Sequence, residues 1–226
     1  MSSTQFTLYT HKGPGPNPPK VALALEYLGL SYELVPLVFG DNPENGVKSA
    51  KFLAINPNGR VPALVDHGNN NFTVWESGAC LIYLAEKYDS EGKLYGKTPE
   101  ERAITAQWLT HQVSGLGPAQ GQVNWLIHYF KNANGVDAQP EMITRFRNET
   151  DRLYKVLDAQ LARQAQAGSA YIVHDRITIA DFAFYGWVKI IAMAKFELGD
   201  YPNVKKWADN IAADPRTQKA YAKLDA

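Results

Sequence analysis

Residues 57–88, PNGRVPALVDHGNNNFTVWESGACLIYLAEKY, carry the most specific pattern in the chain. It predicts a strand after Val61-Pro62, an exposed turn rich in Asn and Gly, a second strand, and a helix that starts at Glu76-Ser77. Because Pro62 has no amide hydrogen, the chain at this point is left unpaired within its own sheet. Val61 is therefore a candidate to pair with the backbone of an extended peptide ligand.

The helix start at Glu76-Ser77 is a candidate site for the amino-acid end of such a peptide. The first N–H groups of a helix are unpaired and lie at the positive end of its dipole, so they attract a carboxylate. The Ser77 hydroxyl can donate to the same carboxylate, and Glu76 can receive an ammonium group. Each half also has an ordinary structural explanation, as a buried strand entered through a turn proline and as a simple helix N-terminus. Their combination favours a peptide-binding site.

The composition bounds the class of protein. The chain has 226 residues, 45% of them hydrophobic, which is enough for one large or two small globular domains. Basic and acidic residues balance at 23 each, and no basic stripe with interleaved aromatics appears, so we expect neither a nucleic-acid nor a membrane partner. We expect a cytoplasmic protein, because the first ten residues, MSSTQFTLYT, lack a signal pattern and one cysteine excludes an internal disulfide framework.

The predicted elements fall into two parts. Strands at QFTLYT, SYELVPLV, VPALVDH and NNFTVW alternate with helices at PNPPKVALALEYLG, KSAKFLAIN and SGACLIYLAEKY. This order resembles an α/β thioredoxin-like domain, which we place at residues 1–89. The polar stretch DSEGKLYGKTP predicts a linker over 90–98. From there to residue 226 the periodicity predicts an all-α domain, with helices over 103–117, 141–164, 179–196 and 204–215.

Within the helical part, Thr178 and Asp181 have the spacing of a capping box. A Thr hydroxyl at an N-cap accepts from the amide three residues on, while an acidic side chain at that third position reaches back to the cap amide. We therefore assign Thr178 and Asp181 a structural role at the start of a helix. A catalytic role for Asp181 is disfavoured, because a buried acid needs partners and the cap amides supply them.

Three motifs together, at residues 61–62, 76–77 and 178–181, resemble the cytosolic glutathione transferases over nearly the whole chain. In that superfamily the Pro of the Val-Pro pair is cis and the Glu-Ser pair holds the γ-glutamyl group of glutathione. The resemblance implies a glutathione-binding site at Arg60, Val61, Pro62, Glu76 and Ser77, with the Arg60 side chain near the glycyl carboxylate. A solvated surface arginine is the alternative role for Arg60.

The stretch GPNPPKVALALEYLGLSYE resembles one branch of this superfamily, the fungal nitrogen-regulator-like transferases and the bacterial nu-class enzymes. In that branch the Asn of a Pro-Asn-Gly-x-Lys motif contacts the glutathione sulfur, and Asn17 is the matching residue. The sequence predicts Asn17 at the helix N-cap with Pro18 at N1, so its side-chain amide is the candidate donor to a thiolate. Its alternative role is that of a helix cap only. Tyr9, within the first strand, is expected to be packed.

Two features differ from relatives of this branch. The loop HKGPGP is longer and has Gly or Pro where a hydroxyl residue often helps to bind sulfur, which puts conventional hydroxyl-driven conjugation in doubt. The loop also lacks cysteine, which argues against a mechanism through a protein mixed disulfide. The single cysteine, Cys80, has helical spacing with Ser77 and Leu84, and we predict that it lies in the core.

The resemblance also implies residues in the helical part. Arg145 matches a basic residue that reaches glutathione across a homodimer, so Arg145 of the partner subunit is a further candidate for glutathione binding. Gln122, Asn124, Trp125 and His128 are candidates to line a second-substrate pocket, with a simple amphipathic helix as the alternative.

The function implied is that of a glutathione-dependent transferase in detoxification. It would activate the thiol of glutathione, as co-substrate, for attack on a small hydrophobic electrophile, and no metal is expected. Reduction of disulfides or peroxides with two glutathione thiols is an alternative. A non-catalytic ligand-binding or regulatory protein on the same fold is an alternative of another class.

Overall fold

The computed structural model describes residues 4–11, 13 and 15–225. Packing groups the chain into two compact units: residues up to Lys97 together with those from Ala212 onward, and Thr98–Ile211. The predicted domains are residues 1–89 and 99–226, with a linker over 90–98, and these bounds stay a prediction. The packing differs from them because it groups the C-terminal helix with the first unit.

The first unit is an α/β unit with a thioredoxin-like order of elements, as the sequence predicted. Its strands are β1 (Phe6–His11), β2 (Tyr32–Leu37), β3 (Ala63–Asp66) and β4 (Phe72–Trp75). Its helices are α1 (Asn17–Leu28), α2 (Ala50–Leu53), α3 (Ser77–Tyr88) and, at the C-terminus, α10 (Pro215–Leu224).

The sheet has the strand order β2-β1-β3-β4, with β1 and β2 parallel and the other two pairs antiparallel. On one face of β1, Phe6 and Leu8 are fully buried. On the other face Tyr9 packs against Phe52 of α2, with ring centroids 5.3 Å apart, in a cluster that also includes Val61. Tyr9 is therefore a packed residue, as the strand alternation predicted.

The second unit is helical. It contains α4 (Pro99–His111), α5 (Gly117–His128), α6 (Phe130–Asn134), α7 (Pro140–Gln166), α8 (Ile179–Val188) and most of α9 (Pro202–Ala213). A π-helical turn, Gln112–Leu116, joins α4 to α5, and the Gly117 amide donates to the Gln112 carbonyl within it. Because Pro118 has no N–H for the regular bond to residue 114, the helical ladder loosens at this point.

The end of α8 differs from the sequence prediction. The pattern predicted one helix over 179–196, but α8 ends at Val188 and a short 3-10 turn follows at Ile191–Ala194. A side chain of a neighbouring helix binds a backbone carbonyl at this end: the Gln120 amide on α5 donates to the Trp187 carbonyl at 3.0 Å. Residues 188–196 contain no glycine or proline to signal this break, and the side-chain bond that accompanies it is tertiary.

The C-terminal helix α10 was not predicted, although its start carries a local signal. Asp214 is the N-cap and accepts from the Arg216 amide at 2.8 Å, with Pro215 at the first helical position. The helix packs against α1, where Lys219 forms an ion pair with Glu26 at 2.7 Å.

The capping box at Thr178 and Asp181 is present at the start of α8. The fully buried Asp181 carboxylate accepts from the Thr178 amide and from the Trp207 indole, each at 2.8 Å, and from the Ile172 amide at 3.0 Å. Burial raises the pKa of this carboxyl, while these donors oppose the rise. Asp181 thus joins three segments of the helical unit.

We predict that Asp181→Ala lowers the free energy of unfolding by about 3 kcal/mol or more, because it leaves several buried donors without an acceptor. Urea unfolding followed by tryptophan fluorescence measures the change. The matched control is Asp137→Ala, which removes an exposed carboxylate 3.1 Å from Lys131 and should change stability by no more than about 0.5 kcal/mol. Equal losses in the two variants would contradict a structural role for Asp181.

Candidate functional site: the end of the β3–β4 hairpin

The antiparallel pairing of β3 with β4 brings the two predicted halves of the site together. Ala63 pairs with Trp75, so Val61-Pro62, just before β3, and Glu76-Ser77, just after β4, lie at the same end of the hairpin. The Val61-Pro62 peptide bond is cis. Sheet pairing of β3 begins at Ala63, which leaves the chain at Val61 outside the ladder.

The loop before the cis proline is built around Asn56, a buried residue that the sequence analysis missed. Its side-chain amide donates to the Arg60 carbonyl at 2.6 Å, and its oxygen accepts from the Asn58 amide at 3.0 Å. Lys48 adds a bond from its ammonium to the Asn58 carbonyl at 2.7 Å. The Arg60 side chain is exposed at this turn. An Asn-Pro-Asn-Gly run is a turn signal that identifies this loop in the sequence.

Glu76 stands at the junction between β4 and α3 and is exposed. Its backbone has a φ of 69°, in the region of positive φ that non-glycine residues seldom occupy. Its carboxylate accepts from the Asn58 side-chain amide at 3.4 Å, which links the junction to the loop before Pro62. Backbone conformations of this kind cluster at functional sites.

Ser77, the first residue of α3, is buried and contacts a lysine that the sequence analysis did not select. The Lys20 ammonium donates to the Ser77 Oγ at 3.3 Å, and the Lys20 residue is only 1% exposed. Burial lowers the pKa of Lys20 to about 7, while the negative charge of Glu76 opposes that shift. The signal available in the sequence is a lysine within the otherwise apolar start of α1.

Asn17 is the first residue of α1, and Pro16 precedes it as the N-cap residue without a side-chain cap bond. The prediction of Asn17 at the N-cap is thus wrong by one position. Prolines have no amide hydrogen, so a proline-rich run contains few of the N–H groups that mark the first hydrogen-bonded turn. The start of α1 is therefore set by backbone angles, which the sequence pattern does not give. Asn17 and Lys20 stand three residues apart and therefore share one face of α1.

The candidates for the second-substrate pocket all lie on α5 of the helical unit. Trp125 is 40% exposed and its ring meets that of Phe130 at 5.1 Å, whereas Asn124 is 8% exposed. Gln122 and His128 are exposed, and a His128 ring nitrogen lies 2.8 Å from the Met193 carbonyl oxygen. The helix thus brings Gln122, Trp125 and His128 to its exposed surface and Asn124 to its buried side. Arg145 is exposed on α7.

Within the described ranges, no cluster of three or more His, Cys, Asp or Glu side chains has the arrangement of a metal site. Among the same residues, no helix is both long and apolar enough to cross a membrane.

Two family comparisons identify the class of this protein. Residues 4–86 match the family described as Glutathione S-transferase, N-terminal domain, and residues 126–215 match Glutathione S-transferase, C-terminal domain. The chain therefore belongs to the glutathione S-transferase family, as the three motifs predicted.

Particular relatives agree with the predicted branch. Glutathione S-transferase 1 of Schizosaccharomyces pombe is 38% identical, with 96% of this chain and 95% of that protein covered. The disulfide-bond oxidoreductase YfcG of Escherichia coli K12 is also 38% identical, with coverages of 93% and 92%. Among solved structures, the glutathione transferase URE2P6 from Phanerochaete chrysosporium, in complex with oxidized glutathione, superposes with a TM-score of 0.85. It is 38% identical and covers 99% of this chain and 98% of its own.

The fold of the chain makes Cys80 a core residue. It is fully buried in α3, its thiol donates to the Val74 carbonyl at 3.5 Å, and burial raises the pKa of that thiol. We predict that Cys80 reacts with an aromatic disulfide reagent at pH 8 only after the protein is unfolded in guanidinium, because a thiolate must form first. Absorbance of the released thiolate measures the reaction. Rapid release of one equivalent from the native protein would refute the core position.

Proposed function

We propose that this protein is a glutathione-dependent transferase, with glutathione bound along the end of the β3–β4 hairpin and its thiol activated beside the start of α1. The observation that carries the proposal is the register of the hairpin, by which the backbone at Val61, outside the strand ladder, lies at the same end as the helix N-terminus at Ser77. Family membership adds to it, since a relative of 38% identity is crystallised with oxidized glutathione.

The assignment of ligand groups follows from the chemistry of each position. The γ-glutamyl carboxylate would accept from the Ser77 hydroxyl and the first N–H groups of α3, while its ammonium would bind the exposed Glu76 carboxylate. The cysteinyl backbone would pair with Val61, where the cis bond at Pro62 turns the chain. Arg60, exposed in the preceding turn, would meet the glycyl carboxylate.

The reacting sulfur would lie near Asn17. A glutathione thiol is mostly protonated at neutral pH, and the thiolate is the nucleophile, so a donor near the sulfur lowers the barrier by favouring the ionised form. The Asn17 side-chain NH₂ is such a donor, and Pro18 and Pro19 remove two backbone amides that would otherwise serve. The thiolate then forms a bond to an electrophilic carbon, and the displaced group leaves with the electron pair.

The second substrate would be a small hydrophobic electrophile. Trp125 offers exposed aromatic surface on α5 and Gln122 and His128 offer polar groups beside it, while the buried Asn124 would shape the helix from within. We further propose a cytoplasmic homodimer with a role in detoxification. In it, Arg145 of the partner subunit would contribute to glutathione binding.

Reduction of disulfides is the second candidate activity, favoured by the similarity to the disulfide-bond oxidoreductase YfcG. One glutathione thiolate would attack the disulfide and release a thiol, and a second would resolve the mixed disulfide to give oxidized glutathione. The buried Cys80 takes no part in either step. A panel of halo-arene, disulfide and hydroperoxide substrates distinguishes the two activities.

The glutathione site is tested through Glu76. We expect Glu76→Ala to weaken glutathione binding by at least ~1.5 kcal/mol, because the ligand ammonium loses a charge-assisted partner. Isothermal titration calorimetry measures the affinity. Glu91→Ala is the matched control: it removes an exposed carboxylate 2.7 Å from Lys93 and should leave the affinity unchanged. If Glu76→Ala also leaves the affinity unchanged, Glu76 is not part of the glutathione site.

The chemistry is tested through Asn17. We expect Asn17→Ala to raise the thiol pKa of bound glutathione, since the thiolate loses a donor, and to slow conjugation more at pH 6.5 than at pH 9. The sign follows because at high pH the thiolate forms without help. Thiolate absorbance near 240 nm as a function of pH, and rates with a halo-arene, measure both effects.

A purely structural role for Asn17 gives the opposite pattern. The variant would then lose about 1 kcal/mol of stability while the thiolate titration stays the same as in the wild type. In that outcome the activating donor is to be sought in the backbone of Gly13 to Gly15 or in Thr10.

A further inference from the structure

A lysine ammonium lies buried beneath the proposed ligand site. Lys20 is 1% exposed, and its Nζ lies 3.3 Å from the Ser77 Oγ on the neighbouring helix α3. Removing an ammonium from water is costly unless opposite charge and acceptors surround it. The first turn of a helix is also the less favourable end for a cation. If residue 20 only filled space in the core, an apolar side chain of similar length, such as methionine, would therefore be more favourable than lysine.

The direction of the bond between Lys20 and Ser77 decides what Ser77 can do. In its protonated form Lys20 has three donors and no acceptor, so the Ser77 oxygen is the acceptor in this contact as long as the ammonium is charged. The single hydroxyl hydrogen of Ser77 must then point elsewhere. Lys20 thereby holds the hydroxyl as a donor to another group, whereas a serine without such a partner rotates freely.

Two side-chain charges and a helix dipole lie close together at this place. Glu76 is negative and exposed, Lys20 is positive and buried, and the start of α3 is the positive end of a helix dipole. An α-amino acid end carries one positive and one negative group. Its ammonium would meet Glu76, and its carboxylate would meet Ser77 with the Lys20 charge behind it, so the charges alternate in sign.

We propose that Lys20 is a positioning residue that orients the Ser77 hydroxyl and supplies the buried positive charge for the α-carboxylate of the γ-glutamyl group. This inference rests on the proposed function and deepens it, since it makes the site selective for a ligand end that has both an ammonium and a carboxylate. Lys20 acts through Ser77 and the local field and makes no bond to the reacting sulfur.

Protonation of Lys20 gives the inference a further readout. Burial lowers the pKa of the Lys20 ammonium to about 7, and the negative charge of Glu76, at the start of α3, opposes that shift. Binding of a carboxylate favours the charged form. Affinity is therefore full below pH 7 and falls as pH rises through that value.

Other titratable groups on the elements packed against α1 do not share this behaviour. Tyr9 on β1 and Cys80 on α3 keep their protons through pH 6–8, because burial raises the pKa of both. On α10, Lys219 is paired with Glu26, six residues further along α1. His11 on β1 is present in every variant, so comparison with a Lys20 variant separates its effect.

The test uses S-methylglutathione, which has no ionisable thiol. Calorimetry of the full-length protein compares the wild type with Lys20→Met, Ser77→Ala and the double variant at pH 6, 7 and 8. We expect Lys20→Met to bind about tenfold more weakly at pH 6, with the deficit shrinking towards pH 8 as the wild type loses its own proton. The double variant should bind more weakly than Ser77→Ala, because the Lys20 charge is also lost, but by less than the product of the two single losses, because part of the effect of Lys20 acts through Ser77.

Each outcome bears on the inference. Equal affinities of wild type and a folded Lys20→Met variant at pH 6 would overturn it, as would losses that multiply in the double variant. Should Lys20→Met fail to fold, Lys20→Leu takes its place in the same comparison at pH 6: a loss of about tenfold supports the role, and an affinity equal to that of the wild type overturns it. No binding of S-methylglutathione by the wild type would instead overturn the proposed function itself.

Discussion

The pairing of β3 with β4 is the constraint on which the candidate site depends. Side chains alternate along a strand, so a slip of one residue would turn the buried Leu64 to the opposite face and expose it. The other end of the hairpin is held by Asp66, whose buried carboxylate accepts from the hydroxyls of Tyr83 and Tyr88 on α3. Because these bonds fix the hairpin against α3, the residues just before Ala63 lie beside the start of α3.

Buried charges serve different purposes in the two units. In the helical unit, Asp181 accepts from backbone amides and an indole, all of which belong to the fold, so its charge is used to join segments. In the first unit, the Lys20 ammonium contacts Ser77, which opens the helix at the candidate ligand site. A buried charge thus stabilises the fold in the helical unit, and in our proposal a buried charge in the first unit contributes to ligand binding.

The sequence predicted the elements whose signals are local. Hydrophobic periodicity and turn residues located β1 to β4 and the first three helices, and the spacing of Thr178 and Asp181 predicted a capping box that depends on four consecutive residues. Where bonding is tertiary, prediction failed: α8 ends at Val188, where Gln120 of another helix binds the Trp187 carbonyl. The start of α1 was misplaced by one residue because prolines hide the boundary.

Local sequence patterns were enough to predict the family, the order of an α/β part followed by a helical part, and the candidates Val61-Pro62 and Glu76-Ser77, since each rests on short motifs with a physical reason for their residues. The contact of Lys20 with Ser77, 57 positions away in the chain, and the role of Asn56 in the loop before the cis proline depend on the fold. No local sequence pattern indicates which side chain a lysine near the start of an apolar helix contacts. Its burial follows from the packing of α1 against α3, which brings together groups that no local pattern connects.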